Sequence, residues 1–170
     1  MATAKFNNLR VKVKLPFLDL EGNWEIDETQ RNAAWEIYVE LVTRVTTAEL
    51  KKHEGLLREA LTSFYSMFGV TREILKKYGP SIAVLGHPDD ITLGHIAVQV
   101  LNKVLRPLLA KWHPLLLDHE NKKPHELSAT QHEKDWINND KLRTEIEQVR
   151  FQLIEYANVL AEVSGVSKLH

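Results

Sequence analysis

Residues 128–165 read SATQHEKDWINNDKLRTEIEQVRFQLIEYANVLAEVSG. Leu142, Ile146, Val149, Leu153, Tyr156, Leu160 and Val163 recur at three- and four-residue steps, with Trp136 six residues before the first, so they form one apolar stripe on a helix. Ser128 followed by Gln131 matches a capping box, in which each side chain satisfies a free backbone donor of the other. Gly165 stands where a helix closes in the left-handed conformation. The spacing therefore predicts a long amphipathic helix from Ser128 to about Val163, and such a helix needs partners to cover its stripe.

Those partners lie upstream. Trp35, Tyr38, Leu41, Val42 and Val45 predict a first helix over Glu28–Lys52. Leu57, Leu61, Phe64, Phe68 and Leu75 predict a second over Leu56–Tyr78, with Tyr78-Gly79-Pro80 as its stop. After a loop over 81–90, a third begins near Ile91 or Thr92, capped by Asp89 or Asp90, and runs to about Glu120. Pro107 lies inside it, lacks a backbone donor and pushes off the Lys103 carbonyl, so a kink is expected over Lys103–Pro107. The polar loop Asn121–Pro124 leads to the fourth.

Residues 5–26 differ. Arg10–Leu15 alternates, with Val11, Val13 and Leu15 on one face, as a half-buried strand does. Pro16 ends it, and Glu21-Gly22-Asn23 reads as a turn before Trp24–Ile26. A lone ribbon is unstable, so this arm or β-hairpin must pack on something, and its own helices are the expected cover. The fold class is all-α: a four-helix up-down bundle in a single domain over 1–170, with an N-terminal arm at 1–26. Trp35 and Trp136 are expected to be buried.

Charge and composition remove several function classes. The 170 residues carry 22 Lys+Arg against 23 Asp+Glu, a net charge of −1, whereas a dedicated nucleic-acid binder needs a basic excess or stripe. The absence of cysteine excludes thiolate catalysis, disulfides and iron–sulfur ligation. The opening MATAKFNN has no apolar signal core, and Ile96–Leu117 is broken by Gln99, Asn102, Lys103, Arg106 and Lys111, so neither secretion nor membrane insertion is expected and the cytoplasm is the predicted location. No glycine-rich phosphate loop or G-x-S-x-G elbow occurs. None of the eight histidines follows a glutamate by three residues, which rejects a carboxylate-bridged di-metal bundle. His113 and His119, with Asp118 and Glu120, lie six residues apart on opposite sides of a straight helix. No cofactor and no metal is expected.

One constellation remains, in Leu105–Pro114, LRPLLAKWHP. Arg106 and His113 are separated by six residues, which resembles the Arg-x(4–6)-His signature of the HEPN-type ribonucleases. That resemblance implies an all-helical fold, a dimer cleft, Arg106 steadying a scissile phosphate and His113 moving a proton. The family's usual polar residue after the arginine is here Pro107. The residues also support a packing role, as a kinked core helix with Trp112 and its leucines buried.

The segments AAWEIYVELVTR (33–44), LREALTSFYSMFGVTREILKKYGP (57–80) and LRPLLAKWHPLLL (105–117) together resemble uncharacterised bacterial helical proteins linked with conflict or antiphage systems. Long amphipathic helices, four tryptophans and no cofactor motif lead to a non-enzymatic module that binds a protein partner or a second copy of itself. The alternatives are a HEPN-like ribonuclease using Arg106 and His113 on RNA, and a small-molecule sensor with a pocket at the kinked third helix.

Overall fold

The computed structural model describes residues 9–44, 48–52 and 54–169. It is mostly helical, with a two-stranded antiparallel hairpin before the helices. Strand β1 (Leu9–Leu15) pairs with β2 (Leu20–Ile26), Leu9 opposite Ile26 and Leu15 opposite Leu20. The turn is a 3-10 piece, Pro16–Leu18, closed by Asp19 at φ 51°. The expected turn at Glu21–Asn23 is thus corrected. Proline's missing donor stops the ladder after Leu15, and Glu21–Asn23 continues inside β2.

The hairpin docks on its own chain. Val13, Leu15, Trp24 and Ile26 are buried in the single molecule, while Val11 is half-buried. Strand β1 lies against the last helix and β2 against the first. The loop before the third helical segment clasps the hairpin: Ile91 N–H donates to the Asn23 carbonyl (2.7 Å), and Arg10 pairs with the buried Asp90 (2.7 Å). Gly22 permits this approach, because a Cβ there would sit 2.8 Å from Ile91 Cγ2.

Helix α1 (Glu28–Val42) starts at Asp27, whose carboxylate accepts from Gln30 N–H (2.7 Å). It ends ten residues before the expected Lys52, and Val45 lies outside the described residues. Its inner face is Ala33, Ala34, Ile37, Tyr38 and Leu41. Trp35 falls off that face and is 39% exposed, against expectation, whereas Trp136 is buried. Helix α2 (Leu57–Tyr78) follows, with a 3-10 turn at Gly79–Ala83.

The third helical segment has three parts: α3 (Leu93–Gln99), a π-helical stretch Val100–Leu105, and α4 (Arg106–Glu120). The irregularity falls where Pro107 predicts one. Its form is a widened turn, in which Arg106 N–H reaches back five residues to the Leu101 carbonyl. Proline needs that room, since an α-turn would press its ring on the Lys103 carbonyl. The cap is Thr92, not Asp89 or Asp90: its hydroxyl accepts from His95 N–H (3.2 Å), and Asp90 is taken by Arg10.

The stretch 128–163 is not one helix. It divides into α5 (Ala129–Lys134) and α6 (Asn139–Ser164). Asn139 Nδ2 donates to the Glu133 carbonyl (2.8 Å) at the break, and Trp136 turns in to meet Trp112 edge-on at 5.9 Å. Ser128 accepts from Gln131 N–H (3.1 Å), but the Gln131 amide donates to Asp135 (3.0 Å), so the capping box is half made. Gly165 closes α6 at φ 71°.

Helix α1 packs on α2 and α6, and α4 on α2 and α6, around a core that includes the fully buried Trp24, Trp112, Tyr38 and Phe64. Among the described residues no helix is long and apolar enough to cross a membrane.

Candidate functional site

Tyr65, Phe68 and Arg72 stand on α2 at i, i+3 and i+7, which sets them on one face. Arg106, Ala110 and His113 stand on α4 at i, i+4 and i+7. The two faces line a groove of about 340 Å³ with Leu109. Arg106 and His113 therefore meet in one groove, which lies beside the kink because Arg106 is the first residue after the π-helical stretch.

Each arginine is anchored through one nitrogen. Arg106 Nε donates to Asn102 Oδ1 (3.0 Å), and its guanidinium lies over the Phe68 ring, 5.2 Å from the centroid. Arg72 Nε donates to the Phe68 carbonyl (3.1 Å). The terminal Nη groups of both have no hydrogen-bond partner among the described residues. Among the described residues no carboxylate lines the groove.

His113 is half-buried, and its ring stands perpendicular to that of Tyr65 with the centroids 5.9 Å apart. Arg58 Nη1 lies 2.7 Å from His113 Nδ1, while Arg58 Nε and Nη2 hold Glu120 at 2.8–3.1 Å. A guanidinium only donates, so Nδ1 accepts and the imidazole proton sits on Nε2. Burial first, and then the Arg58 charge, lower the His113 pKa, with Glu120 opposing. The ring is thus a neutral Nε2–H donor near neutral pH. All the charged and histidine groups lining the groove offer donors, so its chemistry is that of an anion site with aromatic walls.

A second histidine group lies at the far end of α4. His119 and His132 stack at 3.8 Å, and each Nε2 donates to the other's backbone carbonyl (2.8 and 2.7 Å). Beside them Glu133 accepts from Leu57 N–H (2.9 Å), capping α2, with Arg143 at 3.6 Å. His113 and His119 thus serve different sides of α4. Among the described residues no group of three or more His, Asp or Glu could hold a metal ion.

Sequence reasoning found Arg106 and His113 but not Tyr65, Arg72 or Arg58, and it read Phe68 only as core. The available signal was Tyr65-x2-Phe68-x3-Arg72, a second i, i+3, i+7 face beside the apolar one. Nothing local said that this face would meet α4. No family model, curated protein or solved structure matches the chain.

Proposed function

We propose that this chain is a non-enzymatic recognition module that takes a small anionic ligand in the α2–α4 groove and relays its occupancy to a protein partner or a second copy of itself. The observation that carries this reading is the lining: two guanidinium groups whose Nη atoms have no partner among the described residues, the His113 Nε2–H, and no carboxylate among the described residues. A ligand bridging Arg72 and Arg106 ties α2 to the start of α4. The neighbouring π-helical stretch is a point where the third helical segment can adjust. In this reading α1, α2, α3–α4 and α6 form a four-helix bundle that transmits the change. The module serves in the cytoplasm, within a bacterial defence system of the kind that its resembling segments imply.

Thermal unfolding with sulfate or pyrophosphate at constant ionic strength tests the site. The wild-type melting temperature rises with pyrophosphate, and the Arg72→Ala/Arg106→Ala variant loses the rise. An equal rise in both proteins would refute the groove as an anion site.

A second reading, a HEPN-like ribonuclease, is favoured by Arg106 and His113 lining one groove. In its way stands Arg58, which occupies Nδ1 and leaves His113 no free basic nitrogen to take a 2′-hydroxyl proton. RNA cleavage abolished by His113→Ala would establish this reading over the first.

A further inference from the structure

The groove's shape and charge narrow the ligand's chemical class, an inference that rests on reading the groove as an anion site. Two guanidinium forks, each anchored at Nε and open at Nη, suit a group with several oxygens and more than one charge better than a single carboxylate. A volume of about 340 Å³ is far more than such a group fills, and it lies in the range that holds small organic ligands. Tyr65 supplies the wall for the remainder: the residue is 61% exposed, and an exposed aromatic ring is a stacking platform for a flat heterocycle.

Charge separates a free nucleotide from a strand. A nucleic-acid strand needs further cations for successive phosphates, whereas among the described residues Arg72 and Arg106 are the only arginine or lysine side chains lining the groove, and Arg58, behind His113, is committed to Glu120 and His113. We infer that the α2–α4 groove binds a nucleoside monophosphate, its phosphate held by Arg72 and Arg106 and its base stacked on Tyr65. His113 Nε2–H supplies a further donor to the bound molecule.

Isothermal titration of the full chain with AMP, GMP, inorganic phosphate, adenosine and a short single-stranded oligonucleotide tests this. A purine monophosphate is expected to bind at least ~10-fold tighter than either inorganic phosphate or adenosine. Arg106→Ala weakens monophosphate and inorganic phosphate together. Tyr65→Ala, a change at an exposed position, weakens the monophosphate by ~10-fold and leaves inorganic phosphate unchanged. If the monophosphate binds no tighter than phosphate, the nucleotide assignment is wrong and the anion site stands. If adenosine binds as well as AMP, the arginines do not hold the phosphate. An oligonucleotide that outcompetes the mononucleotide overturns the free-nucleotide assignment in favour of a strand. Absence of binding by every phosphate-bearing probe overturns both this inference and the reading beneath it.

Discussion

Gln30 joins three segments with one oxygen. Its Oε1 accepts from Trp24 Nε1 (2.7 Å) in β2 and from the Leu93 backbone N–H (3.2 Å) at the start of α3, all in a buried setting. Gln30→Ala leaves two buried donors without partners, each costing about 1–3 kcal/mol. Chemical denaturation should show a loss of ~2–4 kcal/mol, and a loss below ~1 kcal/mol would mean that water replaces the amide. Trp24 and Trp35 make a paired comparison. Trp24 is fully buried, so Trp24→Ala should cost ~3–5 kcal/mol. Trp35 is 39% exposed, and Trp35→Ala should stay within ~1 kcal/mol. Equal costs would show that α1 is rotated from the orientation described.

At the scale of elements, the hairpin is part of the core rather than an appendage. Strands β1 and β2 alone could not hold their pairing, and they bury Val13, Leu15, Trp24 and Ile26 against the helices. Deleting residues 1–26 should therefore abolish the cooperative thermal transition and expose apolar surface to a dye such as ANS. A truncated chain with the full-length melting temperature would refute intramolecular docking. The alternation of β1 was legible because a period of two belongs to strands alone. The turn was misplaced because Gly22 looks like a turn residue, yet serves a close approach to Ile91. Pro107 announced an irregularity in the third helical segment, but the π-helical form it takes depends on what its two flanks must face. Trp136 was assigned to the long stripe and is buried, but it sits in the break between α5 and α6.

For the whole molecule, two groups make opposite demands on pH. Burial holds Glu133 above its ordinary value of 4.5, partly offset by the Leu57 N–H, so its favourable contribution is complete below 4.5 and is lost as pH rises. Glu133→Gln keeps an acceptor for Leu57 without the charge, and should gain on the wild type as pH rises from 4 to 7. His113 is lowered from 6.5, so its contribution is complete above 6.5 and is lost as pH falls through the lowered value. Against His113→Gln, the wild type should lose stability below pH 6.5. A flat difference in either comparison would show that the group does not titrate between folded and unfolded states in that range. The sequence by itself determined the helical class, the N-terminal strand pair, the α6 stripe and the alignment of Arg106 with His113, because periodicity and spacing are properties of one segment. Only the tertiary structure decided which helix faces the pair. Tyr65 and Arg72 from α2, and the proton placement on His113 set by Arg58, arise from packing between segments more than thirty residues apart, which no local pattern encodes.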